Sequence, residues 1–142
     1  MTARPVRAAA AALSGIALLT LTGCVGMPFA CPAIGWNNVL TVELAGDTTT
    51  VANVQLCTDD GCAPGEDIAA DNPLQLVALT EKSGDTWTFA TDMLVLEEVT
   101  VRTLASDGAI LSEDTVRPDW ERVGGSEQCG GPAAALVSIS VR

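Results

Sequence analysis

Five cysteines, at positions 24, 31, 57, 62 and 129, are the side chains of this 142-residue sequence with the most distinctive chemistry. No histidine and no tyrosine accompany them. Their absence removes the commonest general acid/base, the commonest zinc ligand and the Ser-His-Asp nucleophile arrangement. The single lysine, Lys82, lies in no SxxK motif, and neither a Walker A loop nor a GxGxxG run is present. What remains for catalysis is carboxylate pairs: Asp59/Asp60, Glu66/Asp67, Glu97/Glu98 and Glu113/Asp114. Neighbours along a strand point to opposite faces, so Glu113 and Asp114 cannot converge on one substrate. A non-catalytic protein is therefore expected.

The acids of TDDGCAPGEDIAADNP, residues 58–73, are better placed to converge. Asp59, Asp60, Glu66, Asp67 and Asp71 offer the oxygen ligands that Ca²⁺ takes. The EF-hand order of acids and glycine is missing, however, and a solvated acidic loop is the plainer expectation, with no cofactor required. Three tryptophans, at 36, 87 and 120, are the other candidates for contact with a ligand. In a chain with two phenylalanines and no tyrosine they are scarce core material, and core or half-buried roles are expected. Trp120 is the expected exception. It sits in RPDWER, where Arg122 could cover its ring.

The N-terminus supplies an address. MTARPVR carries Arg4 and Arg7 and no acid, and AAAAALSGIALLTLT, residues 8–22, carries no charge. A positive segment before an apolar run of about fifteen residues is the pattern of a secretory signal, and it falls short of the roughly twenty residues of a spanning helix. The run closes on Leu21-Thr22-Gly23-Cys24. LTGC resembles the lipobox of bacterial lipoprotein precursors: a leucine, two small residues, then the cysteine that is modified. The resemblance implies a diacylglyceryl group, with acyl chains such as palmitate, on the Cys24 sulfur. It also implies cleavage between Gly23 and Cys24. Two acyl chains on one sulfur give stable residence on a membrane where one would be marginal. The expected location is the extracytoplasmic face of the cell membrane, with membrane lipid as the partner of Cys24. With one lysine against six arginines, the chain also resembles small surface lipoproteins of high-GC Gram-positive bacteria.

Removing residues 1–23 leaves 119 residues, enough for one domain. Five basic side chains then face 18 acidic ones, a balance of −13. Such a surface argues against nucleic-acid binding, which needs basic groups on phosphates, and against adsorption to anionic lipid by charge. Residues 24–30 form a short tether: fully extended, the link from Cys24 to Cys31 reaches roughly 25 Å at most.

With Cys24 acylated, four cysteines remain, an even number in an exported chain where disulfides persist. Cys57 and Cys62 flank Asp-Asp-Gly, a turn signal that would bring them together, which leaves Cys31 to pair with Cys129. Cys31 precedes the first strand candidate and Cys129 the last, so this bridge suits a first and last strand running parallel side by side. A four-cysteine zinc site would show two close pairs, and here only one pair is close. A thioredoxin-like CxxC is absent.

These residues need a scaffold over 31–142. NVLTVELA (38–45) alternates, with Leu40, Val42 and Leu44 on one face; TTVANVQLC (49–57) does the same with Ala52, Val54 and Leu56. The two read as a hairpin across Gly46-Asp47. LQLVALTE (74–81) is continuously apolar, as a buried strand would be. Lys82–Asp85 turns back into TWTFA, and Met93–Leu96 reads as a connection packed on the core. EVTVRTL (98–104) turns at Ser106-Asp107-Gly108 into Ala109–Val116, with an extension past Pro118 to Val123 as a bulged or edge strand. AALVSISV (134–141) ends the pattern with Val137, Ile139 and Val141 on one face. About seven short strands, two disulfides and no amphipathic helix define an all-β antiparallel sandwich, immunoglobulin-like in the loose sense but without the antibody Cys–Trp–Cys spacing.

The expected function is that of a membrane-anchored lipoprotein presenting this sandwich for binding or envelope structure, toward a protein or glycan partner. Two alternatives stand beside it. One is a Ca²⁺-dependent carbohydrate- or peptide-binding module using the acidic loop and Trp120. The other is an accessory subunit of an envelope enzyme or transporter.

Overall fold

The computed structural model describes residues 30–65 and 68–142. Cys24, the leader and the tether before Ala30 lie outside the described residues, as do Glu66 and Asp67. Among the described residues there is no α-helix. Nine strands form: β1 (Val39–Gly46), β2 (Asn53–Thr58), β3 (Gly61–Ala63), β4 (Ala78–Ser83), β5 (Thr86–Ala90), β6 (Val99–Leu104), β7 (Ile110–Val116), β8 (Glu121–Arg122) and β9 (Ala133–Val141).

They build two sheets, one ordered β4-β5-β1-β9-β8 and the other β3-β2-β6-β7. All pairings are antiparallel except that of β1 with β9, which run parallel in register from Val39↔Ala134 to Gly46↔Val141. The first and last strands are thus neighbours, as the cysteine spacing required. Both disulfides form as expected. Cys31–Cys129 closes ahead of β1 and β9, with its Cα atoms 5.3 Å apart, and Cys57–Cys62 bridges β2 and β3.

The period-2 alternation decides which side chains fill the space between the sheets. Leu40 and Val42 of β1, Val54 and Leu56 of β2, Trp87 and Phe89 of β5, Val99 and Val101 of β6, and Val137, Ile139 and Val141 of β9 are all buried there. Each aliphatic side chain of this kind contributes roughly 1.5–3 kcal/mol when removed from water. The lysine–serine–glycine–aspartate turn and the Ser106–Gly108 turn make the β4–β5 and β6–β7 hairpins expected of them.

Four expectations are corrected. β1 and β2 are not a hairpin: they lie in different sheets, and both send side chains into the core. Alternation reports a buried face, and two strands that meet face to face carry the same pattern as two that pair edge to edge. Both edges of β1 are taken by β5 and β9. At the crossing point Gly46 has φ +94°, and a Cβ there would meet the Val141 carbonyl oxygen at 2.3 Å, so only glycine fits.

The apolar run 74–81 is not one buried strand. Pro73–Leu76 forms a 3₁₀ turn, N-capped by Asn72, whose side chain accepts from the Leu74 amide. Leu74 and Val77 are buried, but β4 begins only at Ala78 and is a mostly exposed edge strand. Proline at the start of the segment favours the turn.

The strand after Pro118 does not extend β7. The chain leaves one sheet at Val116, and Glu121–Arg122 joins the other as β8 beside β9. Pro118 lacks the amide needed to continue a ladder. β3 was also hidden, inside the stretch taken as a loop.

Candidate functional site

The two ends of the sandwich differ. At one end β1, β4 and β9 begin and β5 and β8 finish, since Val39 pairs with both Ala90 and Ala134, Ala78 with Ala90, and Arg122 with Ala133. This end, here called the base, holds the Cys31–Cys129 bridge. The other end carries the polar turns around Asp47, Gly84 and Gly108.

Asn38 organises the base. It is 1% exposed. Its Oδ1 accepts from the Ala133 amide at 2.8 Å and its Nδ2 donates to the Leu94 carbonyl at 3.3 Å. Its backbone amide donates to the Asp92 carbonyl, and its carbonyl accepts from Thr91 N at 2.9 Å. One side chain therefore ties the entry to β1 to the 91–96 connection and to the start of β9. A buried polar group of this kind is tolerated because it is fully paired. Sequence reasoning placed Asn38 at the start of the first strand and gave it no role, because its partners lie far away in the chain.

Trp120 does not stand out from the surface as a free ring. It is half-buried against the core, and its Nε1 donates to the Leu96 carbonyl at 3.0 Å. Arg122 follows in β8 and is exposed. The cation placed over a tryptophan ring is instead Lys82, whose Nζ lies 4.2 Å from the Trp87 centroid. Trp36 is half-buried, with Gly130 beneath its ring: a Cβ on Gly130 would meet the indole at 3.3 Å.

The residues flanking Trp120 line a shallow concavity of about 440 Å³ on the outer face of the β1–β9–β8 region. Asp119 and Glu121 bring carboxylates to it, while Val123, Ala134 and Leu136 form an apolar floor with Thr41. Val123 and Leu136 are strongly exposed. A second concavity, about 320 Å³, lies on the outer face of the other sheet. Its floor is a cross-strand ladder of Arg102–Glu113 at 2.7 Å and Thr100–Thr115 at 2.8 Å, beside Cys57. Exposed ion pairs of this kind contribute about 0–1 kcal/mol and leave an internally satisfied surface.

Of the acidic-loop candidates, the three among the described residues form no metal-binding group. Asp59 and Asp60 are exposed in the β2–β3 turn, where the Asp60 carbonyl accepts from Asn72 Nδ2 at 2.9 Å. Asp71 is exposed in the turn before Asn72, and Glu66 and Asp67 fall outside the described residues. Among the described residues no three His, Cys, Asp or Glu side chains converge closely enough to hold a metal ion. The same residues include no helix long and apolar enough to cross a membrane.

The fold and these surfaces define a disulfide-braced all-β module. Neither a known protein family nor a curated protein nor a solved structure matches the chain.

Proposed function

We propose that this chain is a lipoprotein, anchored through diacylglyceryl-Cys24 on the outer face of the cell membrane, that displays its β-sandwich as a non-catalytic binding or structural module. The observation that carries the reading is the disposition of the cysteines. Four of the five are consumed in two bridges, and the fifth, Cys24, stands at the lipobox position. Disulfides of this sort persist outside the cytoplasm, which agrees with the leader read from residues 1–23. The histidine-free composition and the exposed acids of the concavities fit binding better than catalysis.

The test is the distribution of the protein after export. The wild-type chain should fractionate with membranes and leave them only in detergent, whereas Cys24→Ala should be released or left with its leader uncleaved. Wild-type protein found free in the medium at the same level as Cys24→Ala would overturn the reading.

A further inference from the structure

We propose that the base of the sandwich rests on the bilayer itself, with its exposed apolar side chains in contact with zwitterionic lipid. This rests on the lipid-anchor reading and deepens it, because an anchored domain could equally hang free on its tether.

Large apolar side chains on a soluble surface are unremarkable when scattered and informative when they collect. Here they collect. Ile34, Leu76, Met93, Val95 and Val123 are exposed and all belong to the connections at the base, and Leu136 stands in the nearer half of β9. Ile34 is 68% exposed and Val123 65%. The segments carrying Ile34 and Met93 touch, since the Met93 sulfur would lie 3.8 Å from a Cβ on Gly35. Trp36, half-buried at the same end, adds the ring type favoured at the boundary between water and lipid. Of the large apolar residues exposed among those described, Ile110 alone lies at the far end.

The chain enters the sandwich at this same end. Six residues separate Cys31 from Cys24, so an acylated Cys24 lies within roughly 25 Å of the base even when the tether is fully drawn out. The apolar end is therefore the one held nearest the lipid. Asp59 and Asp60 of the β2–β3 turn, Asp92, Glu97, Glu98, Asp119 and Glu121 also belong to this end. Contact is accordingly driven by apolar burial and opposed by anionic headgroups.

Bromolipid quenching tests the proposal on the mature, lipidated full-length chain reconstituted into phosphatidylcholine vesicles with or without brominated acyl chains. Tryptophan emission should be quenched by the brominated vesicles, and Trp36→Phe should remove most of that quenching. The triple variant Ile34→Ser/Met93→Ser/Val123→Ser changes only exposed positions and should still co-sediment with vesicles through its lipid. Its quenching should fall by about half or more, because contact scales with buried apolar area. Vesicles containing phosphatidylglycerol should quench less than neutral ones. Lipidated protein that co-sediments yet shows equal emission in both vesicle types would overturn the docking alone. A chain whose mass shows no lipid on Cys24 would overturn the anchor and the docking together.

Discussion

Asn38 Oδ1 accepts a hydrogen bond from the backbone amide of Ala133, 95 residues away, at 2.8 Å. This buried bond does for the base of the sandwich what the Cys31–Cys129 bridge does just outside it: it fixes the start of β1 against the start of β9. The parallel pairing of the first and last strands is thus held covalently and by a polar staple. Asn38→Ala should orphan the Ala133 amide, at about 1–3 kcal/mol, while the Leu94 carbonyl keeps its bond from the Thr91 hydroxyl at 2.9 Å. Urea unfolding would read this as a lowered midpoint. Asn38→Asp should not rescue it, because the carboxylate cannot donate to Leu94 and brings a charge into a buried site.

The two disulfides should differ in what they contribute. Cys31–Cys129 spans 98 positions and Cys57–Cys62 spans five. The chain-entropy model assigns about 4–5 kcal/mol to the long loop and about 2 kcal/mol to the short one. Paired serine substitutions, melted side by side, should show the larger drop in Tm for Cys31→Ser/Cys129→Ser. An equal or reversed order would show that the long bridge does not restrict the unfolded chain.

The reading of strands from sequence succeeded where one physical rule suffices. Alternation placed Leu40, Val42, Val54, Leu56, Val137 and Ile139 on buried faces, because a pleated strand has only two sides. Turn chemistry located the β4–β5 and β6–β7 hairpins. Pairing was less legible. The β1–β2 step crosses between sheets, and nothing in alternation separates a facing partner from an adjacent one. β3 was illegible because a strand of three residues carries no period, and β8 was read as strand but given to the wrong sheet. Of the site, the cysteines could be read from count and spacing. The base could not, because Ile34, Met93 and Val123 are far apart in sequence and come to one end of the sandwich only once β5, β1, β9 and β8 are ordered in one sheet.

Lys82 is the chain's one lysine, and it sits on edge strand β4 over the ring of Trp87, which is 2% exposed. A charged residue on an edge strand discourages pairing with another chain. Lys82→Ala should cost about 0.5–1 kcal/mol through the lost cation–π contact. Lys82→Val, which keeps β propensity and removes the charge, should increase self-association in sedimentation experiments. No change in either variant would make the lysine's position incidental.

Asp47 provides a local pH reporter at the end opposite the base. Thr49 donates to its Oδ1 from the hydroxyl at 2.6 Å and from the backbone amide at 3.3 Å. These bonds, the hydroxyl's first, hold the carboxyl below its ordinary value of 3.8. Because the folded value is depressed, the linked stabilisation is present at neutral pH and is lost as pH falls through that folded value. An NMR titration should show the Asp47 midpoint below 3.8, returning toward it in Thr49→Ala.

Everything proposed about where this protein works depends on one covalent bond, and intact mass spectrometry of the membrane-extracted protein reads it directly. The predicted species begins at Cys24, carries a diacylglyceryl adduct on that residue, and takes up a thiol-alkylating reagent only after reduction, at four sites. A species that retains residues 1–23, has no lipid and alkylates at all five cysteines without reductant would contradict the account.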